Sequence, residues 1–209
     1  MPDSSPALGA PDSWVAPLAR ALPALVLGIV ITFSKDHSAS FGLVAFGVFA
    51  VVTAAVLLAS ALRADRAVRG LALVQGLVTA VAGIVALVLP GGGVGYLVLV
   101  VSAWASLAGA LETVNGTRFR RSRLAARDWL ASGIITVMLG VAYLLVPQNY
   151  SDDYAVEDGA GGVFTGAVTA DILLVGLLGA WAIIQGVQLA IAAITLRTSR
   201  PNSAKTVST

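Results

Sequence analysis

Apolar residues form six long runs along this chain, and short polar segments separate them. The runs cover residues 15–33, 41–62, 70–89, 95–114, 127–147 and 171–195. Each has close to the ~20 residues that a helix needs to cross a hydrocarbon layer of ~30 Å at a rise of ~1.5 Å per residue. No charge interrupts the fifth run between Trp129 and Val146. The pattern therefore predicts an all-α membrane protein with six transmembrane helices in one domain, residues 14–197.

The polar segments are too short to form a second domain. Residues 1–13 and 198–209 are rich in small polar residues and have little to bury, so we expect disordered tails there. The longest internal segment, residues 148–170, carries Asp152, Asp153, Glu157 and Asp158 before a glycine-rich patch. We expect this segment to be an acidic outer loop.

Small residues seven positions apart divide the six spans into three repeated helical hairpins, at about 14–62, 70–114 and 128–195. Gly133 and Gly140 match Gly76 and Gly83 at an offset of 57 residues. An aromatic residue followed by alanine recurs in the even-numbered spans. Because small residues let helix backbones approach closely in a membrane, they predict the packing seams. The residues assigned to helix packing are Gly28, Gly47, Gly76, Gly83, Ser102, Gly109, Gly133, Gly140, Gly179 and Gly186.

The positions of the positive charges predict the orientation. Twelve of the thirteen lysines and arginines lie at the termini or in the loops that follow even-numbered spans, and Lys35 is the exception. Positive residues resist translocation, so these segments are expected on the cytoplasmic side of a plasma (inner) membrane, with both termini cytoplasmic. The loop arginines that define this topology are Arg63, Arg66, Arg69, Arg118, Arg120, Arg121, Arg123 and Arg127.

Composition agrees with a membrane protein and narrows its chemistry. The chain is 57% hydrophobic and 11% charged, whereas soluble domains have roughly 25% charged residues. It has no cysteine, and its single histidine, His37, lies in a short polar loop. We therefore predict no catalytic residue, no metal site and no cofactor, and we expect that the chain is not an enzyme. The basic run at 118–123 is expected to attract anionic lipid headgroups, and no nucleic-acid partner is predicted.

Uncharged polar side chains inside the spans leave two interpretations open. Gln185 and Gln188 share one face of the sixth span, Gln75 lies within the third, and Trp104 and Trp181 lie near mid-depth. These residues either form interhelical hydrogen bonds or line a polar path through the bundle.

Two charged residues lie near the inner ends of their spans. Glu112 is interpreted as an acid that extends toward the interface near Arg118 and Arg120. Arg20 is explained by the preference of positive residues for the inner side.

The pattern Arg127, Trp129, Gly133, Gly140 and Pro147, with partial copies in the other two units, resembles the HdeD-like acid-resistance membrane protein family. The resemblance covers about residues 15–197 and implies a six-helix inner-membrane protein linked to acid stress. It carries over no catalytic residue. The long acidic loop departs from the compact repeats of that family.

Two functions follow as alternatives. The first is a non-enzymatic scaffold or sensor of envelope or acid stress, and the second is a small transporter or channel for protons, ions or a small solute. The expected partners are the lipid bilayer, anionic headgroups at the cytoplasmic face and, in a homo-oligomer, other copies of this chain.

Overall fold

The computed structural model describes residues 13–157, 159 and 163–199. Within this part of the chain, six helices are long and apolar enough to cross a membrane, which confirms the predicted number of spans. The first agrees with its prediction at both ends, and the others differ by a few residues. The helices are α1 (Val15–Phe33), α2 (Ala39–Arg63), α3 (Arg66–Val88), α4 (Gly93–Arg118), α5 (Ala126–Leu145) and α6 (Ala170–Thr198).

Local interactions fix several helix ends. The Ser38 hydroxyl accepts a hydrogen bond of 3.2 Å from the backbone N–H of Phe41 and caps the start of α2. At the other end of α2, the Arg69 guanidinium donates to the carbonyl of Ala64 at 3.0 Å and to that of Leu62 at 3.3 Å. A basic side chain on the last carbonyls suits the negative end of the helix dipole.

The six helices form a closed ring in which each contacts its neighbours along the chain and α6 contacts α1. The even-numbered helices also contact one another, so they line the centre. Half of the spanning window is buried in α2, α4 and α6, against 28% in α1 and 33% in α3 and α5. Large apolar side chains such as Leu22, Leu107 and Leu144 are exposed on the outside, where lipid would cover them.

The most extensive helix contacts do not lie within the hairpins that the sequence repeat defines. They join α2 to α3, α4 to α5 and α6 to α1, so each even helix packs most closely against the odd helix of the next unit. Contacts within the predicted hairpins are present but smaller. The hairpin repeat stays a prediction, and the packing unit in the structure is the pair across each unit boundary.

Glycines allow the closest approaches. A Cβ on Gly133 would lie 2.6 Å from the backbone nitrogen of Thr113 and 2.7 Å from the carbonyl oxygen of Gly109. Gly83 is similarly close to the Gly47 carbonyl oxygen, at 3.0 Å. The other glycines assigned to packing also lie against a neighbouring helix, namely Gly28, Gly76, Gly140, Gly179 and Gly186, and Gly140 faces the Ser102 carbonyl oxygen.

The segment between α5 and α6 contains a two-stranded antiparallel hairpin, which the prediction of a loop at 148–170 missed. Strand β1 (Ser151–Glu157) pairs with β2 (Val163–Thr169), with Ser151 opposite Thr169 and Glu157 opposite Val163. Backbone pairing satisfies polar groups that an irregular loop would leave to water. Asp152, Asp153 and Glu157 are exposed on β1, and the predicted acid Asp158 lies outside the described residues.

The predicted tails lie largely outside the described residues, which exclude 1–12 and 200–209. Arg200 and Lys205, which entered the orientation argument, fall there as well. At the boundaries, Ser13 is exposed before α1, and α6 continues to Thr198, where the sequence predicted a tail.

Candidate functional site: a buried ion pair on the axis of the ring

A buried ion pair connects α1 to α4 across the ring. The Arg20 Nη1 lies 2.7 Å from Glu112 Oε1, and Nη2 lies 3.2 Å from Oε2, so the guanidinium holds the carboxylate at both oxygens. The side chains are 14% and 5% exposed. The interpretation of Glu112 as an acid at the interface beside Arg118 is therefore wrong. Its carboxylate is buried because its helix face points into the ring, where Arg20 is its partner.

Hydrogen bonds extend from this pair toward the middle of the bundle. The side-chain amide nitrogen of Gln75 donates to Glu112 Oε2 at 3.4 Å, and the Thr79 hydroxyl donates to the backbone carbonyl oxygen of Gln75 at 2.8 Å. The indole N–H of Trp104 then donates to the Thr79 hydroxyl at 3.2 Å. These contacts link α1, α3 and α4 in one polar network.

Three aromatic rings meet at the end of this network, one from each even helix. The centroids of Trp104 and Trp181 are 5.4 Å apart, and Phe49 lies 5.7 Å from Trp181 and 6.1 Å from Trp104. All three pairs have nearly perpendicular planes, the edge-to-face geometry that aromatic quadrupoles favour. We call these three residues the aromatic triad. They are the recurring aromatic positions of the sequence repeat, so the triad lies where a threefold axis of the ring would pass.

The repeat offsets show that the ion pair is a departure from symmetry. Arg20 corresponds to Gln75 and Ser132 at offsets of 55 and 57, and Glu112 corresponds to Leu57 and Leu189 at 55 and 77. The first and third units therefore have leucine at the position where the second unit has a buried acid. Helix packing at this level can be achieved without charge.

Two cavities lie in series along the axis. The larger, of about 310 Å³, is bounded by the ends of the helices, including Arg63 at the end of α2, and by the α4–α5 segment that carries Arg123. We call it the vestibule and call this end of the bundle the arginine-rich end. The smaller, of about 20 Å³, lies between the ion pair and the aromatic triad, and we call it the axial cavity. Arg20, Gln75 and Glu112 line both, so the ion pair stands between them.

Side chains from all three units line the axial cavity, and several polar atoms there lack a hydrogen-bond partner. They are Arg20 Nε, Thr53 Oγ1, Trp181 Nε1 and Gln185 Oε1. Buried polar atoms are usually satisfied, and unsatisfied ones tend to concentrate at sites of function or strain. Charged side chains, polar atoms without a hydrogen-bond partner and a cavity therefore lie together around the ion pair.

The glutamines predicted from sequence all make interhelical contacts. Gln185 donates to the Ser132 hydroxyl of α5, and Gln188 donates to the Asp128 carbonyl oxygen at 3.1 Å. Gln185 and Gln75 also line the axial cavity, as do Trp104 and Trp181. Several of these residues therefore both form interhelical hydrogen bonds and line the cavity. The choice between a structural role in interhelical hydrogen bonding and a role in a polar path stays open.

The loop arginines cluster at the arginine-rich end and several have structural contacts. Arg123 forms an ion pair of 2.5 Å with Asp65, which connects the α4–α5 segment to the α2–α3 turn. The guanidinium carbons of Arg118 and Arg123 lie 5.5 Å and 5.7 Å from the centroid of the Phe119 ring. Arg63, Arg66, Arg69, Arg120, Arg121 and Arg127 belong to the same end of the bundle.

The opposite end offers little chemistry near the lone histidine. His37 is partly exposed in the turn between α1 and α2. Beside it, the backbone N–H of Ser38 donates to Asp36 Oδ1 at 2.8 Å and lowers the pKa of the Asp36 carboxyl group. Among the described residues, no group of three or more potential metal-ligating His, Cys, Asp or Glu side chains occurs.

These features define a multi-pass membrane protein with an ion pair buried at the centre of a six-helix ring. Residues 74–145, about a third of the chain, match a protein family described as "Short repeat of unknown function (DUF308)". The matched segment contains most of α3, all of α4 and α5, and with them Gln75, Thr79, Trp104 and Glu112. No curated protein and no solved structure matches the chain.

Proposed function

We propose that this chain is a non-enzymatic multi-pass protein of the plasma (inner) membrane in which the Arg20–Glu112 site acts as a sensor of stress conditions. We place the arginine-rich end, with both termini, in the cytoplasm, where positive loops are retained and can contact anionic headgroups. In this orientation the vestibule faces the cytoplasm and ends at the ion pair.

The observation that carries the proposal is the buried ion pair at positions where the other units have leucine, glutamine or serine. Replacing a buried ion pair by well-packed apolar residues is often neutral or stabilising, so such a pair is weak evidence for a role in stability. Ionisable groups within membrane spans are rare and usually functional. We therefore infer that the pair responds to the contents of the vestibule.

The resemblance to HdeD-like proteins supports acid stress as the setting, and the matched family includes HdeD-like members. Loss of the Arg20–Glu112 contact would leave the buried guanidinium without its counter-charge. Loss of the pair would free the Gln75 and Trp104 network to rearrange. We thus propose that the Arg20–Glu112 pair is the place at which stress conditions act on the bundle.

The test is survival at low pH of cells that lack the gene, complemented with wild type or with Glu112→Gln. We expect deletion to lower survival and Glu112→Gln to respond differently from wild type, while the exposed-strand control Glu157→Gln restores wild-type survival. Unchanged survival after deletion would remove the acid-stress role. Equal complementation by wild type and Glu112→Gln would remove the role of the site.

A small transporter or channel is the second candidate, and the two cavities in series favour it. The vestibule and the axial cavity share Arg20, Leu57, Gln75, Glu112 and Leu189, so they form the beginning of an axial route. The aromatic triad lines the axial cavity. Proteoliposomes should then show flux of protons, ions or small solutes that Gln185→Leu reduces, whereas flux no higher than in empty vesicles would favour the sensor.

A further inference from the structure

We propose that the vestibule binds a small zwitterionic solute with an aliphatic body, whose carboxylate contacts Arg20 and whose ammonium contacts Glu112. The inference rests on the proposed function only in treating the Arg20–Glu112 pair as a working site. It adds the chemical class of the ligand, which neither the sequence nor the family match supplies.

Charge balance in the vestibule argues for a ligand without net charge. Three arginines line it, Arg20, Arg63 and Arg123, and three carboxylates line it, Asp65, Glu112 and Asp128. Opposite charges at comparable numbers give no strong field of either sign. A site selective for an anion or a cation would show an excess of the opposite sign.

The ion pair itself discriminates against a singly charged ligand. An anion bound to Arg20 would leave the buried Glu112 carboxylate without its counter-charge. A cation bound to Glu112 would leave the Arg20 guanidinium without its counter-charge. An uncompensated buried charge is strongly unfavourable. A zwitterion replaces both partners at once, because its carboxylate and ammonium compensate the guanidinium and the carboxylate separately.

A free acceptor beside Glu112 suits the ammonium group. Asn115 is 7% exposed and lines the vestibule, and its Oδ1 has no hydrogen-bond partner. It follows Glu112 by three positions on α4, which places both side chains on one helix face. An ammonium has three donors, so it can serve Glu112 and Asn115 together.

The remaining wall suits an aliphatic body of modest size. Leu57, Val68, Leu189 and Leu196 line the vestibule together with several alanines. Its volume of about 310 Å³ lies at the lower end of the range of ~300–1,000 Å³ for small-molecule sites. The ligand is therefore a small molecule with a short branched or linear chain.

The test compares three probes that share a branched aliphatic chain and differ in charge. Leucine is the zwitterion, isocaproate has only the carboxylate, and isoamylamine has only the ammonium. Calorimetric titration of the purified full chain in mild detergent at pH 7 should show leucine binding at least about 100-fold more tightly than either analogue, since each analogue strands one buried charge. Equal binding of leucine and one analogue, or no binding of leucine, would overturn the inference.

Variants locate the binding. Arg20→Gln and Glu112→Gln should each weaken leucine binding at least about 100-fold, and the milder Asn115→Ala should weaken it by about 10-fold, consistent with one lost charge-assisted hydrogen bond. Arg66→Gln, which lies outside the vestibule, should leave binding unchanged. Asn115→Ala keeps the test valid if the charge variants do not fold.

The binding experiment and the survival experiment can refute the ligand class and the role of the site separately. If Glu112→Gln alters acid survival but leucine does not bind to wild type, the ligand class is wrong and the role of the site stands. If leucine binds equally to wild type, Asn115→Ala and every folded charge variant, it binds elsewhere, and the inference is wrong.

Discussion

Replacing Gly133 by alanine should destabilise the bundle, whereas the same change at Gly176 should not. Both glycines lie inside helices, but their surroundings differ. A Cβ at Gly133 would lie 2.6 Å from the Thr113 nitrogen and 2.7 Å from the Gly109 carbonyl oxygen, while a Cβ at Gly176 would meet nothing within 4 Å beyond its own stretch of helix. Backbone atoms cannot rotate away, so α4 and α5 would have to separate.

The magnitude follows from two opposing effects. Alanine is favoured over glycine in a helix interior by about 1 kcal/mol, and this gain applies to both variants. Overpacking a tight contact costs about 1–3 kcal/mol, and this cost applies only at Gly133. We expect Gly133→Ala to be about 1–3 kcal/mol less stable than Gly176→Ala, which corresponds to a melting temperature lower by roughly 2–12 °C at about 2–4 °C per kcal/mol.

The four tryptophans make intrinsic fluorescence a direct readout of thermal unfolding in detergent. Both variants should be measured in the same detergent and at the same protein concentration, with wild type alongside. Equal melting temperatures for Gly133→Ala and Gly176→Ala would refute the argument that the α4–α5 contact depends on the absence of a side chain at Gly133.

Two further predictions concern packing and hydrogen bonding between helices. Gly140→Leu should lower thermal stability or assembly far more than the lipid-facing change Leu144→Ile, because a Cβ on Gly140 would already lie 3.2 Å from the Ser102 carbonyl oxygen, whereas Leu144 is 66% exposed; similar melting temperatures in detergent would contradict this. Tyr143→Phe should cost about 1 kcal/mol, since the buried Tyr143 hydroxyl donates to the Leu174 carbonyl at 2.7 Å. The control Tyr154→Phe, in the exposed hairpin, should leave the denaturation midpoint unchanged, and an equal effect of the two changes would show that the α5–α6 hydrogen bond contributes nothing.

The spans could be predicted from sequence because lipid imposes a strong and local constraint on them. Twenty apolar residues in a row have few alternatives to a membrane helix, so the limits of α1 agree with the structure at both ends. The aromatic triad also left a visible trace, since Phe49, Trp104 and Trp181 recur at fixed offsets.

The ion pair could not be predicted by the same means. Arg20 and Glu112 are 92 positions apart and lie on helices that are not sequence neighbours, so their contact depends on how the ring closes. A signal was nevertheless present in the repeat. Alignment of the units shows Glu112 at a position occupied by Leu57 and Leu189, and such a departure in an otherwise apolar position marks a residue that packing does not require.

The β-hairpin was missed for a different reason. Acidic residues and glycines between α5 and α6 suggested a loop, because glycine and aspartate are depleted in strands. β-branched and aromatic residues are interspersed among them, and two antiparallel strands of seven residues each can pair there because β1, which carries the acids, is exposed along its whole length and tolerates charge. Local composition was a poor guide for a strand such as β1, which buries no face.

The most direct test of the central claim is the stability of the double variant Arg20→Gln with Glu112→Leu, in which each position receives a residue that another unit has at the equivalent position. If the pair is kept for function, the double variant should melt at or above the wild-type temperature, while the single variant Glu112→Leu, which strands Arg20, should be about 3–5 kcal/mol less stable. The double variant should also lose the response to acid. A double variant as unstable as the single one would show that the pair holds the bundle together, and it would contradict the account.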